Sequence, residues 1–435
     1  MKWKKRSYPR WQEKLQQLVA AKVPILNFFS LGLLKATDAI ILLFLIPVII
    51  SRVGIAHYGL IAFAQVGLNY GRAIVDYGFN ITAVRQISLA QREGKQLSGI
   101  FFQVLYCKAV LAILIILALV LLVNTVPFLQ SKAVVFYWGT PFVVGHVFFS
   151  DWFFIGLQKS HLLAMANLLV KCLYAISILL WVQEPGDYIY VLALQGGAAI
   201  FIGVMVLAYI IQHFKLKMEW PNPHHIWYYL RSDFRLLGTN LAIEINSSYS
   251  LVILNILLGD VITGYFNVMY KLVQPLRFLL AIFSQTIFPI ICEKTKDGWK
   301  AVRHYIKHSF LLFAAFPLLG ILLLWLFGES VFAYFAGTVN ESLVHSLRLY
   351  LLVPVAILSN IPAYQVLLAY EFKSAYTSIY VLGLLGNLFL AYVMTLHWGL
   401  NGLIGAIITV ELFISLGLYV IMWKNLPYFA NEKGR

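Results

Sequence analysis

Residues 98–124 read SGIFFQVLYCKAVLAILIILALVLLVN, and residues 109–123 of this stretch are apolar without exception. Its one charged side chain is Lys108. A helix needs roughly 20 apolar residues to cross a bilayer core of about 30 Å. The stretch therefore predicts a helix that spans a membrane.

Working outward from this stretch, we find eleven further segments of similar length and composition. Together the twelve predicted spans occupy residues 25–50, 56–84, 98–124, 133–157, 161–183, 188–212, 234–258, 262–291, 306–328, 343–369, 374–396 and 401–423. The second and eighth spans are long and carry polar residues. This predicts that they are tilted, broken or partly exposed to a cavity.

The composition excludes a soluble protein. Hydrophobic residues make up 61% of the 435 residues and charged residues 12%, against about 45–50% and about 25% in a soluble domain. No predicted loop exceeds about 25 residues, which leaves no room for a soluble catalytic domain. Nucleotide-binding, metalloprotease and hydrolase motifs are missing, and the three cysteines are far apart. We therefore predict no catalytic residues, no metal and no cofactor other than a coupling ion.

The distribution of Lys and Arg predicts the orientation. If the N-terminus is inside, the inner loops hold 24 of these residues and the outer loops hold only Arg52 and Lys132. Loops rich in Lys and Arg remain on the cytoplasmic side of a membrane, so both termini are predicted to be cytoplasmic. Most of the net charge of +15 is then a topology signal that also attracts anionic membrane lipid. We do not interpret it as affinity for nucleic acid.

The chain also carries an internal repeat. A shift of about 206 positions aligns Asp38 with Glu244, Gly54 with Gly259 and Arg72 with Arg277. Two six-helix halves in the same orientation are typical of transporters. The predicted parts are a basic N-terminal segment at 1–24, a six-helix bundle at 25–213, a cytoplasmic linker at 214–232, a second six-helix bundle at 233–424 and a cytoplasmic tail at 425–435.

Several charged side chains fall inside the predicted spans, where each costs at least about 2.5–3.5 kcal/mol. The positive ones are Lys35, Arg72, Lys108, Lys171, Lys271, Arg277 and Arg348, and the negative ones are Asp38, Asp76, Asp151, Glu244 and Glu411. They predict a water-filled cavity with surplus positive charge, which fits an anionic substrate. The candidate substrate-binding residues are Arg72, Lys171, Lys35, Lys271 and Arg277.

Other roles for these charges remain open. Lys35 and Asp38 are spaced i, i+3, and Arg72 and Asp76 are spaced i, i+4, so these pairs can simply neutralise each other. Lys108 can instead extend from the cytoplasmic end of its helix to the membrane surface.

The carboxylates raise a second hypothesis. A carboxylate in a poorly solvated cavity can take up a proton or ligate Na⁺. Asp38, Glu244 and Asp76 are therefore candidates for coupling transport to an H⁺ or Na⁺ gradient. A plain salt bridge is the alternative for each of them.

Three stretches are similar to a known family. They are Asp151–Leu163 (DWFFIGLQKSHLL), which resembles the family's WFxxGLxK stretch, Asp76–Arg85 (DYGFNITAVR), and the hairpin Gly54-x-x-x-Tyr58-Gly59. With twelve spans in two halves and a cationic interior, the chain resembles the Wzx-type flippases of O-antigen and capsular polysaccharide. These belong to the multidrug/oligosaccharidyl-lipid/polysaccharide (MOP) exporter superfamily, so the expected fold is all-α and of the MATE/MOP type.

The resemblance implies a multi-pass protein of the bacterial inner membrane. It implies that an undecaprenyl-diphosphate-linked oligosaccharide moves from the cytoplasmic to the periplasmic leaflet by alternating access. The implied partners are this lipid-linked glycan and the polymerase and assembly proteins of polysaccharide synthesis. A multidrug exporter of the same superfamily, a membrane-embedded enzyme of polysaccharide assembly and a non-transporting scaffold remain as alternatives.

Overall fold

The structure is a computed structural model that describes residues 10–220, 223–337 and 340–425; the side chains of residues 10–40, 42, 223–225, 228, 232 and 311–313 lie outside the described part. Within these ranges the chain is all-helical, with two 3₁₀ turns at Pro185–Ile189 and Thr295–Asp297. The helices are α1 Arg10–Asp76, α2 Phe79–Arg92, α3 Ser98–Thr125, α4 Pro127–Gln130, α5 Ala133–Phe148, α6 Asp151–Gly156, α7 Ser160–Trp181, α8 Tyr190–His213, α9 Pro223–Lys294, α10 Trp299–Ala336, α11 Glu341–Tyr350, α12 Leu352–Ala369 and α13 Lys373–Lys424.

Nine helical stretches of the described chain are long and apolar enough to cross a membrane. The prediction of an all-α, multi-pass membrane protein is therefore confirmed. Three of the long helices contain one glycine with non-helical dihedral angles: Gly54 in α1, Gly259 in α9 and Gly399 in α13. Each of these glycines divides its helix into two segments. The count of twelve spans and the orientation of the termini stay predictions.

The two hairpins that the repeat aligns have the same backbone geometry. Gly54 has φ +83° and Gly259 has φ +79°, a region that residues with a Cβ rarely adopt. Five residues later, Gly59 lies against the backbone of Asp260, and Gly264 lies against the backbone of Ile55. The repeat aligns residue 55 with residue 260 and residue 59 with residue 264. Each hairpin therefore makes the equivalent contact with the other. This geometry supports the internal duplication.

The second predicted span is broken, as its polar residues indicate. α1 ends at Asp76, Tyr77 takes a left-handed φ of +51°, and α2 begins at Phe79 after Gly78. The eighth predicted span instead runs without a break inside α9, although it contains Pro275 and Pro289.

The chain forms two compact units. The first contains the chain up to Leu45 and Gly67–Ile245; the second contains Ile46–Val66 and the chain from Asn246 onward. The second unit therefore includes both glycine hairpins, and the first includes the beginning of α9. The predicted domain limits follow the sequence repeat and stay a prediction.

Candidate functional site

Two carboxylates flank the side chain of Arg72 in the first unit. Its Nη1 lies 3.5 Å from Asp76 Oδ2, and its Nη2 donates to Glu244 Oε2 at 3.3 Å. Asp76 is one helical turn beyond Arg72, so the predicted i, i+4 pair is confirmed. Glu244 comes from α9, in the other half of the sequence. The Arg72 side chain is 31% exposed, so its guanidinium is not fully enclosed by the protein.

Lys108 forms an ion pair with the second carboxylate oxygen of Asp76. Its Nζ lies 3.0 Å from Asp76 Oδ1 and donates to the carbonyl of His146 at 3.1 Å. The side chain is only 1% exposed, so the hypothesis that Lys108 extends to the membrane surface is wrong. The physical reason is depth: Lys108 lies about 15 Å from the start of α3 at ~1.5 Å per residue. A buried carboxylate compensates its charge instead.

Side chains of the motif at Asp151–Leu163 pack against neighbouring helices beside these charges. Trp152 and Phe153 are buried, with ring centroids 5.6 Å and 5.1 Å from that of Phe101. Gly156 approaches Ile87 of α2 so closely that a Cβ there would overlap it. This packing fixes the start of α6, where Asp151 lies close enough to interact electrostatically with Lys108 and Asp76.

We call Arg72, Asp76, Lys108, Asp151 and Glu244 the first-unit charge cluster. It contains three carboxylates and two cations. The surplus of positive charge that the sequence predicts is therefore not found within this cluster. An anion that binds here has to replace a carboxylate at a cation, and Arg72 is the more exposed of the two cations, at 31% against 1% for Lys108.

Further polar contacts join α9 to α2 and to the helix break that precedes it. Thr82 donates to Asp233 Oδ2 at 2.6 Å, and Tyr229 donates to Gln86 Oε1 at 2.7 Å. Tyr77, at the helix break, donates to the carbonyl of Leu230 at 2.8 Å. With the Arg72–Glu244 pair, these contacts form what we call the α9 seam. The sequence analysis missed them, because nothing local relates residues about 150 positions apart.

Arg277 has different surroundings in the second unit. Its guanidinium is hydrogen-bonded to Tyr350, and the carboxylate of Glu411 is near enough to interact with it. Glu411 in turn accepts a hydrogen bond from Asn360 Nδ2 at 2.8 Å. Glu411 was not among the predicted site residues, although a single carboxylate inside the last predicted span is a usable signal.

The other predicted site residues are distributed as follows. Lys171 is half-buried on α7. Lys271 lies on α9, with its Nζ 6.0 Å from the centroid of the Tyr270 ring. The side chains of Lys35 and Asp38 lie outside the described residues. Of the eight candidates, direct ion pairs thus join Arg72 with Asp76 and Glu244.

In the part of the chain that the structure describes, no group of three or more His, Cys, Asp or Glu side chains is arranged to hold a metal ion.

The chain resembles known proteins over most of its length. The model of the polysaccharide biosynthesis protein family matches residues 25–295, and the chain belongs to that family. A candidate O-antigen transporter of Escherichia coli strain K12 is 25% identical over 408 residues, which cover 92% of this chain and 97% of that protein. Another from Shigella dysenteriae is 22% identical over 353 residues, covering 79% and 86%.

Solved structures show the same fold. An inward-facing multidrug resistance transporter of the MATE family and MOP superfamily superposes with a TM-score of 0.67 at 12% identity, over 91% of this chain and all of that one. The lipid II flippase MurJ superposes with a TM-score of 0.65 at 14% identity, over 92% and 87%. The predicted resemblance to MOP-superfamily polysaccharide flippases is confirmed. The names of these relatives also agree with the prediction of a transporter rather than an enzyme.

Proposed function

We propose that this protein is a flippase that moves an undecaprenyl-diphosphate-linked oligosaccharide from the cytoplasmic to the periplasmic leaflet of the bacterial inner membrane. The observation that carries the proposal is the likeness to a candidate O-antigen transporter over 92% of this chain and 97% of that relative. The MurJ-like fold supports a lipid-linked substrate, since that neighbour is a lipid II flippase.

The proposed topology has twelve spans and cytoplasmic termini. Nine apolar helical stretches, three of which are divided by Gly54, Gly259 and Gly399, account for this number. The excess of Lys and Arg in alternate loops supports the orientation. In this scheme a six-helix bundle at 25–213 and another at 233–424 are joined by the cytoplasmic linker at 214–232.

Arg72 is the proposed contact for the diphosphate. A guanidinium presents a planar fork of donors that fits phosphate oxygens as well as carboxylates. The fork is already divided between Asp76 and Glu244, and its partial exposure leaves it accessible to a headgroup. The diphosphate would displace Glu244, the less buried of the two carboxylates, whose side chain is 19% exposed against 10% for Asp76. Lys171, Lys35, Lys271 and Arg277 are the further candidates along the substrate's path.

This exchange supplies a basis for ion coupling. When Arg72 turns to the diphosphate, Asp76 still keeps Lys108 at 3.0 Å, whereas Glu244 loses the guanidinium. A carboxylate that loses a contact with a cation in a poorly solvated site takes up a proton or Na⁺ more readily. Glu244 is therefore the foremost of the coupling candidates, ahead of Asp76 and Asp38.

Alternating access requires that the α9 seam can open. Its hydrogen bonds, Thr82–Asp233 and Tyr229–Gln86 among them, connect helices from the two sequence repeats. A neutral bond such as Tyr229–Gln86 contributes about 0.5–1.5 kcal/mol net, and a bond to a charged group such as Asp233 about 1.5–3 kcal/mol. A small set of such bonds can therefore keep the two segments together and still break when the transporter changes conformation.

The multidrug exporter remains the second candidate. The TM-score of 0.67 with a MATE transporter supports it, as does the excess of carboxylates over cations in the first-unit charge cluster. Acidic side chains attract cationic drugs. An anionic lipid-linked glycan instead requires Arg72 to exchange partners as described above.

Deletion of the gene in its host tests the proposal. We expect complete lipid-linked oligosaccharide units to accumulate facing the cytoplasm and surface polysaccharide to be lost, both restored by the wild-type gene. Lys171→Ala and Arg72→Ala should fail to restore export although the proteins still insert into the membrane. Normal glycan together with intracellular accumulation of a cationic dye would support the exporter instead.

A further inference from the structure

A cavity of about 1070 Å³ lies in the second unit, between the beginning of α10, the middle of α12 and the end of α13. Its walls are mainly apolar and include Ile306, Phe310, Val366 and Met422. The volume is just above the ~300–1,000 Å³ found for small-molecule sites. It shares no residue with the first-unit charge cluster, which the proposed transport uses.

Basic side chains line one side of this cavity. Arg303 and Lys307 are spaced i, i+4, so they lie on the same face of α10, and both line the cavity together with His308. Among the residues that the structure describes, neither Arg303 nor Lys307 has a carboxylate within 4.0 Å. By contrast, the nearby Lys294 lies 3.0 Å from Asp297.

Aromatic residues place the cavity at the membrane surface. Trp299, Tyr419 and Trp423 also line it, and Trp and Tyr concentrate where the bilayer meets water. α10 has 38 residues, which makes it about 57 Å long, far longer than a bilayer core of about 30 Å. A helix of this length extends out of the hydrocarbon at one end or both, and the Trp, Tyr and basic side chains around the cavity indicate that the beginning of α10 is such an end.

We propose that this cavity binds an anionic phospholipid of the cytoplasmic leaflet. Its phosphate would contact Arg303 and Lys307, and one acyl chain would lie along Phe310 and Val366. Basic pockets between helices on the cytoplasmic side are suited to such headgroups. The leaflet follows from the orientation proposed above; the site does not depend on what the protein transports.

Binding to the purified, delipidated full-length protein tests this site. Native mass spectrometry would follow the uptake of cardiolipin and of phosphatidylcholine by the wild type, by Arg303→Gln/Lys307→Gln and by the matched control Lys296→Gln/Lys300→Gln. The control removes the same charge from the same segment, at positions that do not line the cavity. Each basic residue near an anionic headgroup contributes about fivefold in affinity. We therefore expect cardiolipin binding to weaken about 25-fold in the first variant and less than about twofold in the control.

A variant without a charge change tests the acyl-chain part of the site. Ala315 lines the cavity, and Ala315→Phe should fill it and weaken cardiolipin binding while Arg303 and Lys307 remain. Equal affinity of the wild type for both lipids, equal losses in the two double variants, or preference for undecaprenyl diphosphate over cardiolipin would each overturn the proposal. The transport assay is read separately, so failure of this site leaves the flippase proposal intact.

Discussion

The two halves of the chain agree at their hairpins and differ at their arginines. Gly54 and Gly259 share nearly the same positive φ. Arg72 and Arg277, which the same repeat aligns, have different neighbours: Arg72 contacts two carboxylates, whereas Arg277 lies among tyrosines and Glu411. The hairpin geometry requires glycine and therefore limits variation. The partners of a buried charge can change while the fold stays the same.

This difference indicates that the two aligned arginines have different roles. Arg72 is partly exposed and divides its donors between Asp76 and Glu244, an arrangement that a phosphate can enter by exchange. Arg277 is hydrogen-bonded to Tyr350, which keeps the side chain in place. We interpret Arg72 as a substrate contact and Arg277 as a side chain whose first task is structural.

The largest effect is expected at the deepest ion pair of the first half. Lys108→Met leaves Asp76 in a buried site without its lysine, and loss of one partner of a buried pair costs about 3–5 kcal/mol. We expect a matching fall in stability, measured by reversible unfolding in detergent. Lys108→Met/Asp76→Asn removes both charges and should recover most of the loss. A double variant as unstable as the single one would show that the pair does not account for the effect.

The next prediction tests whether the two glycine hairpins, where the halves agree, are equivalent. A side chain at Gly59 or Gly264 would overlap backbone atoms of the opposing hairpin, and overpacking costs about 1–3 kcal/mol. Gly59→Leu and Gly264→Leu should therefore destabilise the protein by similar amounts. Gly386→Ala is the matched control, because a Cβ there meets nothing within 4 Å. Clearly unequal effects at the two hairpin glycines would contradict their equivalence.

An effect of similar size tests where the halves differ. Arg277→Lys loses the guanidinium that Tyr350 contacts, and a hydrogen bond to a charged group contributes about 1.5–3 kcal/mol. Arg72→Lys affects partly exposed pairs, which contribute about 0–1 kcal/mol. In thermal unfolding, Arg277→Lys should therefore be the less stable variant, while Arg72→Lys should impair transport more than stability. The reverse order of stability would contradict the comparison.

The smallest effect on stability is expected for Glu244→Gln. It removes one of the two carboxylates at Arg72 and should lower stability by about 1 kcal/mol or less, since Arg72 is 31% exposed. If Glu244 is the coupling carboxylate, the variant should transport at a rate that no longer responds to an imposed H⁺ or Na⁺ gradient. A gradient response equal to that of the wild type would exclude Glu244 from coupling.

The sequence predicts the features that depend on local pattern. Apolar length predicts the membrane helices, and i, i+4 spacing predicts the Arg72–Asp76 pair. Polar residues in the second span predict that it is tilted, broken or partly exposed, and the break after Asp76 is one of these outcomes. Contacts between distant segments have no such signal. The pairing of Arg72 with Glu244 and of Thr82 with Asp233 depends on how helices pack, and the burial of Lys108 depends on where α3 lies relative to α1.

The most direct measurement is the rate at which lipid-linked oligosaccharide crosses the bilayer in proteoliposomes that contain the purified protein. The account predicts transfer by the wild type, a fall of at least about thirtyfold for Arg72→Ala and partial activity for Arg72→Lys. Arg348→Ala is the matched control: Arg348 is exposed and lies 5.3 Å from the Trp325 ring centroid, so its rate should stay near wild type. Transfer by Arg72→Ala at the wild-type rate would contradict the central claim that Arg72 binds the diphosphate.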